Sequence, residues 1–150
     1  MADAKLEQKL ERLLDRLESL LPKTEDEVDW SVAAFRWRRK QYLGMSYGVL
    51  EPIHRVALVD SDSIKNADQQ KAALLRNTEQ FVRGLPANNV LLTGARGTGK
   101  SSLIRACLKQ FADQGLRLIE VDKEDLKDLI DIAQRIADRP EKFIVFCDDL

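Results

Sequence analysis

Residues 89–102 read Asn-Val-Leu-Leu-Thr-Gly-Ala-Arg-Gly-Thr-Gly-Lys-Ser-Ser. Gly94, Gly99, Lys100 and Ser101 stand at the spacing G-x-x-x-x-G-K-[ST], the pattern of a phosphate-binding loop between a strand and a helix. A polyphosphate is a dense anion, and successive backbone N–H groups in a turn give it a concave donor surface. Gly94, Gly97 and Gly99 allow φ values that a side chain would penalise and let the main chain come close to the anion. A helix beginning near Gly99 aims its unpaired N–H groups and positive dipole end at the same point. In such a loop the lysine reaches the β- and γ-phosphates and the serine hydroxyl ligates Mg²⁺. The candidate cradle is therefore Gly94, Ala95, Arg96, Gly97, Thr98, Gly99, Lys100, Ser101 and Ser102. The plain alternative, an incidental lysine after a glycine-rich turn, does not account for the full spacing between the right elements.

A second constellation follows 47 residues after Ser101. Phe143-Ile-Val-Phe-Cys is an apolar run that ends in Asp148 and Asp149. Opposite a phosphate loop, the first acid would hold Mg²⁺ together with Ser101. The second, Asp149, is placed to orient or deprotonate an attacking water. Taken alone, such a run is also what a strand ending in a polar turn looks like.

The elements that must position these groups are legible from periodicity. Val90–Leu92 reads as a short buried strand, and Leu103, Ile104, Cys107, Leu108 and Phe111 recur at helical spacing after the loop, with Gly115 as the C-cap. Leu116–Val121 reads as a second strand, residues 123–137 as a helix capped by Asp122, and Lys142–Cys147 as a third strand. Strand, helix, strand, helix, strand predicts an α/β fold with a parallel sheet, right-handed crossovers and flanking helices. Ligands gather at the carboxyl ends of such strands, and both the glycine loop and Asp148 lie there. Upstream, a helix from about Gln69 to Val82 stops at Gly84.

The amino-terminal part reads as a helical region and linker, residues 1–62, ahead of the unit at 63–150. Leu6, Leu10, Leu13, Leu17 and Leu20 alternate steps of four and three across Lys5–Leu21, with Leu14 and Leu21 widening the stripe. The stripe either packs on its own domain, the simpler reading, or forms a dimer seam. Asp29–Tyr42 carries Arg36, Arg38, Arg39 and Lys40 beside Trp37. Such a cluster can grip single-stranded nucleic acid, but an aromatic core face with a solvated basic face is the more economical reading. Residues 44–62 look irregular, with Val56 and Leu58 in a short strand. His54 has no partner at metal or triad spacing.

Composition sets the bounds. At 150 residues the chain can build one domain with a real core, and a net charge of −1 argues against a whole-chain electrostatic grip on nucleic acid. Cys107 and Cys147 form no metal spacing and sit in apolar runs, the pattern of reduced thiols. With no secretory layout and no apolar run long enough to cross a bilayer, the expectation is a soluble cytoplasmic chain without membrane contact.

Gly94–Ser102, Gly115–Lys123 and Phe143–Leu150, together with Asn77–Gly84, resemble one group of bacterial AAA+ ATPases, the domain of unknown function 815. The likeness runs from about Ile64 to Leu150. It implies a P-loop NTPase fold of AAA+ type, ATP and Mg²⁺ as cofactors, Gly94–Ser101 as the phosphate site (Walker A), Asp148 as the Mg²⁺-side acid of Walker B and Asp149 as the water-activating acid. Lys100 and Asp149 are then the catalytic candidates, and Ile64 a candidate adenine contact. Most AAA+ enzymes carry glutamate where Asp149 stands, one methylene longer.

The resemblance also implies further elements after Leu150: a strand inserting between the Walker A and Walker B strands, a sensor residue, an arginine finger and a helical lid. The sheet of these 150 residues is then expected to be incomplete, with weak ATP affinity and little hydrolysis, whereas a longer parent would bind and hydrolyse ATP. Two functions follow. One is an ATPase that couples ATP binding and hydrolysis to remodelling an unknown protein or nucleic-acid partner, as a homo-oligomer. The other is a nucleotide-gated interaction module with negligible hydrolysis.

Overall fold

The structure, a computed structural model, describes residues 2–20, 28–65, 68–95 and 97–148, with side chains in the first segment described for residues 5–17. Its centre is a four-stranded mixed sheet in the order β2-β1-β3-β4. The strands are β1 (Ala34–Tyr42), β2 (Met45–Pro52), β3 (Leu116–Glu120) and β4 (Lys142–Phe146). The helices are α1 (Ala2–Leu20), α2 (Asp68–Val82), α3 (Lys100–Phe111) and α4 (Leu129–Ile136).

The β3 and β4 strands pair in parallel, as the sequence pattern predicts, with Leu118 beside Ile144. Alternation divides β3 between two cores. Leu116 and Leu118 pack with Leu103, Ile104, Cys107, Leu108 and Phe111 of α3 and Leu74 of α2. Ile119 and Val121 face the other way, with Phe35, Trp37 and Ile132 of α4. The sheet is thus sandwiched, α2 and α3 on one face and α4 on the other. Gly115, at φ 93°, ends the turn after α3 and feeds β3, a left-handed position that suits glycine.

Three expectations need correction. Among the described residues of the amino-terminal region, α1 is the only α-helix, and residues 34–52, of which 44–52 are expected to be irregular, form an antiparallel hairpin with Phe35 opposite Pro52 and Tyr42 opposite Met45. Pro52, at the strand's end, does not interrupt it. This hairpin joins the sheet through β1, which runs parallel to β3 with Phe35 beside Ile119, so the sheet is mixed, not all-parallel. Residues 53–60, where a strand at Val56 and Leu58 was expected, are irregular. Finally, Val90–Leu92 has a strand's composition but no ladder partner among the described residues, and 86–93 is irregular. A strand exists only through its neighbour's hydrogen bonds.

The hairpin turns at Leu43 and Gly44, both with positive φ (48° and 78°), as the tightest hairpin loops require. Trp37 and Arg39 share the hairpin's inner side and reach the crossover between β3 and β4. Trp37 Nε1 donates to Asp128 Oδ2 at 3.0 Å and Arg39 Nη1 to Asp128 Oδ1 at 2.9 Å. Both oxygens of this 6% exposed carboxylate are therefore used. Gly48 lies flat against Trp37, where a Cβ would stand 1.9 Å from the ring.

The basic cluster follows the more economical reading. Phe35 and Trp37 are buried, and each base meets an acid: Arg36 with Glu120 at 2.6 Å, Arg38 with Asp122 at 3.0 Å, Arg39 with Asp128 at 2.9 Å, Lys40 with Glu51 at 2.7 Å. The positive charge is balanced locally and offers no unbalanced stripe for a phosphate backbone. The leucine stripe of α1 departs from the simpler expectation. Leu6, Leu10, Leu13, Leu14 and Leu17 are between 51% and 67% exposed, not packed on the domain. No helix of the described residues is long and apolar enough to cross a membrane.

Candidate functional site

The approach to the glycine loop is held by side chains rather than by a ladder. Asn77 of α2 clasps Asn88: Nδ2 donates to the Asn88 carbonyl and Oδ1 accepts the Asn88 N–H, both at 2.9 Å. Leu92 then tucks against the α2–α3 core, while Leu91 is 73% exposed. The chain turns through Gly94 (φ 142°), Gly97 (φ 83°) and Gly99 (φ 85°). Gly99, left-handed, is the N-cap of α3, with no side chain capping the helix and no acid in its first turn. The first amides of α3 thus keep their donors for another partner, at the positive end of the dipole.

Within the loop, the Thr98 hydroxyl donates to the Ala95 carbonyl at 2.8 Å, and the Thr98 N–H points to the same oxygen at 3.3 Å. Lys100 folds back across the turn, its Nζ donating to the carbonyls of Gly94 (2.9 Å) and Ala95 (3.0 Å). Gly94–Ala95 and Gly97–Thr98 are open to solvent, and Lys100, Ser101 and Ser102 are half-buried. Among the described residues the acceptors of Lys100 Nζ are those two neutral carbonyls, which an arriving anion can outcompete.

Ser101 Oγ donates to Asp148 Oδ2 at 2.8 Å, across 47 residues of sequence. The contact forms because α3 begins, and β4 ends, on the same side of the sheet. Among the predicted residues, Gly94, Ala95, Gly97–Ser102 and Asp148 therefore gather at one place. Arg96 and Asp149 lie outside the described residues. Ile64 is buried, at 8% exposure, in the apolar cluster shared with Leu103 and Ile104 of α3.

Next to Asp148, the Cys147 thiol is pushed up by burial first and then by the negative charges of Asp122 and Asp148. Cys107, on the inner face of α3, is raised by burial, partly offset by the Thr78 hydroxyl that donates to its sulfur at 3.7 Å. Both thiols are protonated at neutral pH, as the apolar runs around them suggest. The described residues contain no group of three or more His, Cys, Asp or Glu side chains able to hold a metal by themselves.

Sequence reasoning missed Asn77 and Asp128. Asn77 lies in a stretch whose family likeness is visible, but nothing local announces its clasp. Asp128 is one acid among many in a charged segment, and its partners are about ninety residues upstream.

Residues 30–150 match the family described as "Protein of unknown function (DUF815)". The chain belongs to this family. Beyond it, a 75-residue stretch is 33% identical to the replication factor C large subunit of Sulfolobus acidocaldarius. That stretch is 49% of this chain and 17% of that protein, so the chain spans less than a fifth of its curated relative. No solved structure matches.

Proposed function

We propose that this family member binds ATP with Mg²⁺ at the loop 94–102 and is an AAA+-type ATPase. The reading is carried by one observation, the 2.8 Å contact between Ser101 and Asp148 at the foot of a glycine loop. A structural turn needs neither that hydroxyl nor that acid, whereas a phosphate-bound Mg²⁺ uses both. Mg²⁺ keeps several waters and takes few protein ligands besides the phosphates, so one hydroxyl and one carboxylate suffice. The ion would supply charge neutralisation of the β- and γ-phosphates. The residues fit it.

In this reading Lys100 leaves the Gly94 and Ala95 carbonyls for the phosphates, and the first-turn amides of α3 receive the anion. Ser101 and Asp148 hold the metal side. Asp149 remains the proposed water-activating acid and Ile64 the proposed adenine contact, the latter through the little surface it exposes. The likeness to a replication factor C large subunit supports an ATPase relation and an oligomeric assembly, which we take to be a homo-oligomer. It also fits the coupling of turnover to remodelling of another macromolecule. The alternative, a nucleotide-gated interaction module with negligible hydrolysis, is favoured by the exposed leucine stripe of α1, a surface suited to recruitment.

Titration with ATP and Mg²⁺ tests the site. Lys100→Ala is expected to lose about tenfold or more in affinity, the worth of a charge-assisted contact to phosphate. Unchanged affinity in that variant would remove the assignment. Phosphate release separates the two functions: turnover that stops in Asp149→Asn while ATP stays bound marks the ATPase, and binding without turnover marks the module.

A further inference from the structure

Two neighbouring residues of α2 hold the two limbs of the glycine loop. On the entering limb, the Asn77 side chain takes both main-chain groups of Asn88. Its Nδ2 donates to the carbonyl and its Oδ1 accepts the N–H, each at 2.9 Å. On the leaving limb, the adjacent Thr78, 3% exposed, donates from its hydroxyl to Cys107 Sγ of α3 at 3.7 Å. Leu74, one turn before Thr78, is buried in the apolar cluster that also takes Leu92, between Asn88 and Gly94. One helix thus fixes the chain on both sides of the loop.

The Asn77 clasp does more than satisfy polar groups. Asn88 is exposed, so water would take over its N–H and carbonyl if Asn77 were shortened. Water does not supply direction. A carboxamide presents a donor and an acceptor side by side in one plane, as a residue of a neighbouring antiparallel strand does. Residues 86–93 have no ladder partner among the described residues, and Asn77 gives them that pairing with a single side chain. Asn88 stands six residues ahead of Gly94. A shift there is carried into amides that must converge on one anion, and small misplacements of such groups are costly.

We propose that Asn77 is a positioning residue for the phosphate loop, acting through the main chain of Asn88. The proposal rests on the reading of residues 94–102 as the ATP site. A carboxylate at this position would keep the acceptor for the Asn88 N–H but turn a second oxygen toward the Asn88 carbonyl, and the two repel. Protonation of that carboxyl restores one O–H donor beside one acceptor. The Asn77→Asp chain is therefore defective when ionised and repaired when protonated. Its surroundings keep this titration distinct. Leu85–Thr93 has no titratable side chain. The flanking charges on α2 are Arg76 and the Glu79–Arg83 pair at 2.7 Å. On α3 the Cys107 thiol, raised by burial first, stays protonated.

Two measurements on the whole chain test it. One is the backbone amide resonances of Gly94, Gly97 and Gly99 without nucleotide. The other is affinity for ATP with Mg²⁺, taken as the ratio to wild type at each pH so that titrations common to both cancel. Asn77→Ala should shift the three glycine amides and weaken ATP about fivefold at every pH, the order expected for a lost pair of neutral hydrogen bonds. Asn77→Asp should lose at least as much near neutrality. It should regain affinity and wild-type glycine amides as pH falls toward about 5, because donation to a carbonyl raises its carboxyl above the ordinary value. Asn88→Ala keeps both main-chain partners and should match wild type. Glycine amides that stay in place in Asn77→Ala, no recovery of Asn77→Asp in acid, or an Asn88→Ala chain as impaired as Asn77→Ala would overturn the proposal. A wild type that binds no ATP would instead remove the nucleotide reading, and the glycine amides would still decide whether Asn77 sets the loop.

Discussion

At the scale of single residues, a few side chains carry far more than their neighbours. Asp128 is the clearest case outside the candidate site, a nearly buried carboxylate whose two oxygens take Trp37 Nε1 and Arg39 Nη1. Asp128→Ala would strand both donors and should cost about 2–3 kcal/mol in chemical unfolding. Asp128→Asn keeps an acceptor for Trp37 and should cost less. Equal losses would show that the charge on Arg39, not the bond to Trp37, sets the energy. Leu43 points the other way. It is 82% exposed and held at φ 48° in the hairpin turn, a region that costs a residue with a Cβ about 1–2 kcal/mol. Leu43→Asn, giving Asn-Gly at the turn, should raise stability by about 1 kcal/mol in the same assay.

Elements show what a sequence can and cannot reveal. The glycine loop, α3, α2 and the β3–α4–β4 crossover were legible because their chemistry or periodicity is local: Gly94 to Ser101 sit within eight positions, and α3 repeats its apolar face at helical spacing. The hairpin was hidden for a physical reason. After Trp37 the alternation fails, since Arg38, Arg39 and Lys40 are successive bases, and Leu43-Gly44 is not the usual signal for a tight turn. The acids that neutralise them lie on β2, on β3 and after it. Strand status at Val90–Leu92 depends on a ladder partner, which composition cannot supply. Gly48→Ala probes the hairpin's fit. Its Cβ would collide with Trp37, and overpacking of this kind costs about 1–3 kcal/mol. A loss of the native Trp37 fluorescence together with a lowered transition should report it.

On the scale of the whole molecule, the crossover end is closed by Arg139, which stacks over Trp30 at 4.6 Å and donates to Glu141 at 2.7 and 3.0 Å. These bonds hold the Glu141 carboxyl below its ordinary value. A lowered folded-state pKa gives stability that is fully present above the unfolded value, about 4.3, and lost as pH falls through the folded one. The melting temperature of Glu141→Gln should therefore lie below wild type at neutral pH, with the two converging in acid. The pair is partly exposed, so the gap should be small, below about 1 kcal/mol. Thiol labelling gives an independent view of the fold. Cys107 should react only on unfolding, and Cys147 slowly at neutral pH, because both thiols are raised.

The central claim is that Ser101 and Asp148, in contact at 2.8 Å, share one Mg²⁺ beneath the phosphates of ATP. Calorimetric titration of ATP with and without Mg²⁺, on the wild type and on Asp148→Asn, measures this directly. Mg²⁺ should tighten ATP binding in the wild type, and Asp148→Asn should lose this gain while its metal-free affinity does not weaken. An Asp148→Asn protein that keeps the full Mg²⁺ effect would contradict it.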